Sequence, residues 1–221
     1  MAMPCMLGAH LTPETGISMA IEREETRLAV SRNAARLFLE RGVAGTSGDD
    51  IAAASGLSKR TVWRYFRTKE SCVEPLFSTS ALGFVTLLKQ WPHDATIETY
   101  LHAAIQPTAQ TPEKIADEVL AVRLIALMPD EPALRTAWLM ACQLAEEEVV
   151  AVIADRVRDP VTPFDLRLCA AAITAAIRVI DEDISIAAVK HGQPFTLAEV
   201  VDRLAAAIRT ASTLPICDPM I

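Results

Sequence analysis

The sequence predicts an all-α fold of about nine helices: an N-terminal three-helix domain containing a helix-turn-helix, then a larger C-terminal helical domain. Three observations predict it. Apolar residues make up 51% of the 221 residues and aromatics only 5%, and alanine is abundant, which suits packed helices better than sheets. Helix-start signals recur along the chain, each a Ser or Thr followed by an acid or a proline within three residues. Between Thr46 and Glu70, two short segments with apolar faces flank Gly56, the spacing of two helices joined by a tight turn.

Residues 1–20 carry Pro4, Gly8, Pro13 and Gly16 with no sustained period, and are expected to be a flexible tail. A first helix is expected over 22–41, with Leu28, Ala35, Phe38 and Leu39 on one stripe, Glu22, Glu24 and Glu25 at its positive end, and Gly42 just past its C-terminus. Thr46, with Asp49 three residues on, is expected to cap a second helix ending at Ser55. Ser58 is expected to cap a third over 59–66. Thr68 then opens a fourth to about residue 90, with Pro75 expected to kink it. Trp91-Pro92-His93-Asp94 marks a break before a fifth helix over 94–106. Thr111-Pro112-Glu113 starts a sixth to residue 128, and a seventh runs over 133–158. Thr162-Pro163-Phe164-Asp165 and Thr196-Leu197-Ala198-Glu199 are capping boxes for the eighth, to about 191, and the ninth, to about 213. Pro215 and Pro219 make 215–221 an expected flexible end. The organisation is therefore a tail (1–20), a helix-turn-helix domain (21–70), a helical ligand-binding and dimerisation domain (71–214), and the end segment.

The net charge of −7 is unevenly placed. Residues 22–70 carry +3 and residues 71–221 carry −9, so a local basic face sits on an acidic body. No apolar run looks long enough to span a bilayer, and no signal peptide is legible, so no membrane partner is expected. Five scattered cysteines (5, 72, 142, 169 and 217) fit reduced thiols in a cytoplasmic protein. The four histidines have no i, i+4 pairing, so no metal and no cofactor are expected. Asp181-Glu182-Asp183 reads as a solvated helix face.

The helix-turn-helix carries the chemistry. From Leu57 to Glu70 there are five basic residues, Lys59, Arg60, Arg64, Arg67 and Lys69, against the single acid Glu70. In this motif the second helix enters the DNA major groove and reads bases with its N-terminal residues. Lys59 and Arg60 stand there and suit guanine O6/N7; Thr61 suits a phosphate or a thymine methyl, and Ser58 and Arg64 lie beside them. Asp49 either accepts from cytosine N4 or only complements the helix dipole.

Three linked blocks resemble the DNA-binding domain of the TetR family of bacterial transcriptional regulators. They are Ala35-x-Leu37-Phe38-x-Glu40-x-Gly42, then Thr46-Ser47-x-x-Asp50-Ile51-Ala52, then Gly56-Leu57-Ser58-Lys59-x-Thr61-Val62-x-x-Tyr65-Phe66-x-x-Lys69-Glu70. The resemblance covers about a quarter of the chain. It implies phosphate contacts at Thr46, Ser47, Tyr65 and Lys69, and an altered one at Trp63, where the family most often has Tyr. It also implies a ligand pocket on helices five to seven, for which Tyr100, His102, Arg123, Met128, Trp138, Met140 and Cys142 are candidates; an ordinary helical core is the competing reading. Arg123, flanked by apolar residues, suits either an anionic ligand or solvent. From Arg135-x-x-Trp138 onward the chain faintly resembles regulators that bind acyl-CoA-like ligands.

Helix eight carries Cys169, Ala172, Ile173, Ala176, Ile177, Ile180 and Ile184; helix nine carries Leu197, Val200, Val201, Leu204 and Ile208. Two such stripes exceed what one partner helix covers, and the resemblance implies a homodimer through a four-helix bundle of these helices. Ile173, Ile177, Ile180, Ile184, Val201, Leu204 and Ile208 are the expected interface. The sequence thus reads as a DNA-binding transcriptional regulator, a repressor released by an unidentified small-molecule effector. It is expected to bind a palindromic site on double-stranded DNA as a dimer. A helical protein-interaction module with a repurposed helix-turn-helix is the alternative. An enzyme is disfavoured, because no nucleophile–His–acid pattern, phosphate loop or metal spacing is legible.

Overall fold

The structure is a computed structural model that describes residues 13–106 and 111–220. Among these residues there are nine α-helices and one 3-10 turn, and no strand. α1 (Pro13–Arg41) begins inside the stretch expected as a tail, of which residues 1–12 lie outside the described residues. It ends where Gly42, at φ +77°, donates its N–H to Phe38 O at 3.0 Å, a left-handed C-terminal stop that suits glycine.

α2 (Gly48–Ala54) starts one residue later than expected. Its cap is Ser47, not Thr46, and the reciprocal acid is Asp50, not Asp49. Ser47 N–H donates to Asp50 Oδ2 at 2.8 Å, and Asp50 N–H donates to Ser47 Oγ at 3.1 Å. Thr46 is unavailable because it is buried, with its hydroxyl donating to Gly42 O at 2.9 Å. Gly56, at φ +64°, turns the chain into α3 (Lys59–Tyr65), where Ser58 caps by accepting from Thr61 N–H.

The expected fourth helix is divided. Thr68 and Ser71 bond reciprocally, each N–H to the other's hydroxyl at 3.1 Å, around a 3-10 turn (Glu70–Val73). α4 (Glu74–Leu88) follows, with Pro75 in its first turn. Pro75 therefore opens the helix instead of kinking it, because no carbonyl four residues back is asked to receive its missing N–H. The stretch Glu70–Leu88, with a mean hydropathy of 1.3, is long and apolar enough to cross a membrane by length and composition, contrary to expectation. In the fold it packs against α7, α1 and α6.

The remaining helices are α5 (Ile97–Ala104), α6 (Pro112–Leu127), α7 (Pro132–Asp155), α8 (Pro163–Lys190) and α9 (Leu197–Ala211). The threonine caps at 111, 162 and 196 form, and Thr96 is a further cap, on α5. The full capping box closes at Thr196–Glu199, while at Thr162 the hydroxyl caps but Asp165 bonds that hydroxyl instead of the Thr162 backbone N–H. α4 packs chiefly on α7, α8 lies against α6, α7 and α9, and α5 lies on α9.

The expected flexible end is instead a packed strap. Ile216 and Cys217 are buried, and Ile97 N–H donates to Cys217 O at 3.0 Å. The organiser is Arg156, 2% exposed, at the C-terminus of α7. Its guanidinium stacks on Trp91 at 3.4 Å and donates to Ile216 O (2.9 Å) and Pro92 O (2.9 Å), with longer bonds to Trp91 O, Ala95 O and Asp218 O. A buried cation is thus satisfied by carbonyl dipoles, and burial pulls its pKa down.

Two cores result. One joins α1–α3 and the start of α4 to α6 and the first half of α7, through Phe38, Ile51, Val62, Phe77, Leu124 and Trp138. The other gathers α5, α8, α9, the later parts of α4 and α7, and the strap. The core therefore continues across the boundary expected at residue 70, and the helix-turn-helix is seated on α6 and α7.

Candidate nucleic-acid interface and interior cavity

Only one side of α3 packs inward. Val62 is fully buried, and Phe66 closes the same side; Lys59, Arg60 and Arg64 are exposed on the other, with Thr61 partly so. Lys59 Nζ lies 2.8 Å from Asp49 Oδ1, so the acid of α2 meets the first basic residue of α3. Both side chains are exposed, and such a pair contributes little to stability. Arg60 and Arg67 make no ion pair among the described residues, and both are exposed.

Trp63 is 37% exposed, with its indole lying over Gly48 so closely that a Cβ there would overlap the ring. The first turn of α2 and the last of α3 thus fit only without a side chain at 48. Tyr65 is partly buried, with the guanidiniums of Arg64 and Arg23 over its ring at 5.1 and 5.8 Å, and Arg64 donates to its hydroxyl at 3.4 Å. Arg23 and Tyr65 bring α1 beside α3, a juxtaposition the helical pattern does not reveal.

Two residues expected at phosphates sit elsewhere. Thr46 is 1% exposed and closes the end of α1. Lys69 donates to Val43 O at 2.6 Å and to Thr46 O at 2.9 Å, so it braces the loop between α1 and α2. Both position the helix-turn-helix. Ser47 is exposed, but its hydroxyl is engaged with Asp50, whose carboxyl is held below the usual range by the Ser47 hydroxyl and backbone N–H.

A cavity of about 220 Å³ lies between α4, α6, α7 and α8. Its apolar walls include Phe84, Leu87, Val149 and Ile177; its polar lining is Ser80, Lys114, Glu118, Thr174, Arg178 and Asp181. Of the expected ligand residues, Trp138 and Cys142 line it. The others do not. Tyr100 is buried against Trp91 and donates its hydroxyl to Leu87 O. His102 is exposed and 2.7 Å from Asp202. Met128 belongs to the core beneath the helix-turn-helix. Arg123 and Met140 face solvent. The expectation of helices five to seven holds for α6 and α7 but not for α5, whose Tyr100 and His102 lie away from the cavity, and on α6 and α7 Arg123, Met128 and Met140 face other directions. The α8 residues Thr174, Arg178 and Asp181 were missed, since an Asp-Glu-Asp run reads as a solvated face.

The expected dimer residues also divide. Ile173, Val201, Leu204 and Ile208 are buried within the chain and are not on an outer face. Ile177 lines the cavity; Ile180 and Ile184 are partly exposed. The exposed large apolar residues of α8 and α9 are Phe164, Leu168, Val179, Val189 and Leu197. The expected interface residues are largely spent on α8–α9 and α5–α9 packing inside the chain.

A family model described as bacterial regulatory proteins, tetR family, matches residues 32–76. A comparison with curated protein sequences finds no match. A solved structure assigned to the TetR-family transcriptional regulators from Rhodococcus sp. is 17% identical, covers 85% of this chain and 98% of its own, and aligns with a TM-score of 0.52, which supports the all-helical fold. A TetR-family transcriptional regulator from Streptomyces coelicolor is 20% identical over 85% of this chain and 80% of its own, at a TM-score of 0.49.

Proposed function

Through its helix-turn-helix, residues 32–76, the chain belongs to the tetR family of bacterial regulatory proteins, and on that premise we propose that it is a cytoplasmic repressor that binds a palindromic operator as a homodimer and is released by a small molecule. The observation that carries the DNA reading is the outward face of α3, where Lys59, Arg60, Thr61 and Arg64 stand exposed or partly exposed above a buried Val62. Lys59 and Arg60 are the base-reading residues of this proposal; Ser47, Ser58, Trp63, Arg64 and Tyr65 are the backbone contacts. The acidic body, −9 beyond residue 70, disfavours non-specific contact elsewhere.

The exposed apolar residues of α8 and α9 support the homodimer, since a two-fold axis there would cover Phe164, Leu168 and Val179 with their own copies. The cavity supports the release part of the proposal. α4 lines it and leads directly from the helix-turn-helix, and Leu76 N–H donates to Ser31 Oγ of α1 at 3.1 Å. A ligand that prefers a different tilt of α4 and α6 would change the separation of two reading helices, which must match successive major grooves about 34–36 Å apart.

Selection from random DNA with the purified chain tests this. The expected result is a palindrome with half-sites about one helical turn or slightly more apart. No enriched motif at low salt, from folded dimer, would overturn it and favour the interaction-module reading, in which Asp49 neutralises Lys59 and Trp63 is docked on Gly48.

A further inference from the structure

The cavity has a polar face that its own walls leave unsatisfied. Thr174 is 8% exposed, and its hydroxyl has no hydrogen-bond partner. A helical threonine ordinarily returns its hydroxyl to a carbonyl one turn back; this one does not. Glu118 accepts from Ser80 Oγ at 2.7 Å and forms no ion pair among the described residues. Asp181 forms neither a hydrogen bond nor an ion pair among them. The neighbouring Arg178 is not available to either acid, because Glu182 holds it at 2.9 Å while also accepting from Trp138 Nε1 at 3.1 Å. Lys114 stands exposed in the first turn of α6.

We propose that this cavity binds an organic cation, a protonated amine on a short apolar body, with its ammonium at the Asp181–Glu118 face and hydrogen-bonded to the Thr174 hydroxyl. This names the effector class of the regulator proposed above and rests on that reading only for the ligand's consequence on DNA. The charges facing Asp181 are Glu118 and Lys114 from α6 and Arg178 and Glu182 from its own helix, with the Cys142 thiol of α7 beside them. Burial, with Glu118 and Glu182 near, pushes Asp181 up to about 7; a cation placed there supplies the counter-charge that the fold withholds. An anionic ligand would meet two carboxyl groups and an arginine already committed, with Lys114, exposed in the first turn of α6, as the one unpaired cation of the lining among the described residues. The volume, about 220 Å³, equals roughly seven waters of liquid and admits roughly eight non-hydrogen atoms.

Titration calorimetry on the full chain at pH 7.5, with n-heptylammonium, 1-heptanol and heptanoate, tests the site. These probes each contain seven carbons in an unbranched chain and differ in head-group charge. Heptylammonium is expected to bind about tenfold or more tighter than heptanol, and heptanoate weakest. Asp181→Asn is expected to erase that preference while heptanol binding persists, which reports an intact cavity; Thr174→Val weakens the ammonium alone. Equal binding of all three, tighter heptanoate, or an ammonium preference unchanged in both variants would overturn the proposal. Operator binding by the same preparations separates the two readings. DNA binding without an ammonium preference removes the cation site alone; the preference without DNA affinity keeps the site and removes the regulator.

Discussion

Arg32 of α1 and Asp117 of α6 meet as fork and carboxylate, with Nε 2.7 Å from Oδ1 and Nη2 2.6 Å from Oδ2. The pair is partly buried, and the hydrogen bonds that Arg32 donates to Asp117 raise the Arg32 pKa further. Bidentate pairs of this kind fix direction as well as distance. The next residue of α6, Glu118, lines the cavity, so one turn of helix faces both the helix-turn-helix domain and the cavity. Asp117→Asn keeps the shape and removes the charge. It is expected to leave operator affinity within about threefold while reducing the ligand's effect on that affinity by about fivefold or more, and to cost about 1 kcal/mol of stability. The measurement is operator Kd with and without saturating ligand. An unchanged ratio would mean that coupling runs through α4 alone.

The Asp49–Lys59 pair makes a second expectation. In the free protein the acid holds the ammonium proposed to read bases, and it places a negative charge on the face proposed to meet DNA. Asp49→Asn is expected to tighten DNA binding by about two- to fivefold and to steepen the salt dependence by about one unit of slope. Lys69→Ala behaves differently. Because Lys69 braces Val43 O and Thr46 O, the variant is expected to lower Tm by a few degrees with little change in salt slope. A flattened slope would return Lys69 to the phosphates.

The residues that were legible in the sequence are those whose roles are local. Ser58 caps α3, Thr111, Thr162 and Thr196 cap their helices, and Gly42 and Gly56 stop them, because each acts within four residues of itself. Where two local solutions compete, the tertiary fold decides: Thr46 and Ser47 both suit a cap, and burial of Thr46 against α1 gives the position to Ser47. The cavity side of a helix is not local at all. Tyr100 and Trp138 are both buried aromatics on helices expected to form the pocket, yet only Trp138 faces the void, because α5 is rolled onto α9 and the strap. The strap itself was hidden by Pro215 and Pro219, which end helix without ending order; what orders it is a carbonyl cluster around Arg156, contributed by segments about sixty residues apart.

Arg156→Met tests that cluster. Methionine keeps most of the volume over Trp91 but leaves the carbonyls of Ile216 and Asp218 without their donor and takes one of two donors from Pro92 O and Ala95 O. The expected loss is about 2–4 kcal/mol, with early proteolytic trimming of the C-terminal residues. DNA affinity of the remaining folded protein should hold, since α3 lies in the other core. Full stability with an intact C-terminus would show that the hydrophobic contacts of Ile216 and Cys217 hold the strap unaided.

Asp181 sets the pH response. Its folded pKa is raised from 3.8 to about 7, by burial first and then by Glu118 and Glu182. Between those values the folded chain binds more protons at this site than the unfolded chain, so its contribution to stability falls as pH rises from about 4 to about 7, and stays lost above. Carboxyls held low act in the opposite sense at lower pH. Glu98, down to about 2 through Arg209, contributes stability that is present above about pH 4.5 and is lost as pH falls from there towards 2. The ligand-free chain is therefore expected to be most stable near pH 5, and Asp181→Asn to flatten the decline between pH 5 and 8, gaining on the order of 2 kcal/mol at pH 8. Thermal unfolding across that range, with both proteins in matched buffers, gives the comparison. Parallel curves would place Asp181 in water in the folded state, and the raised proton affinity at the cavity wall would have to be abandoned.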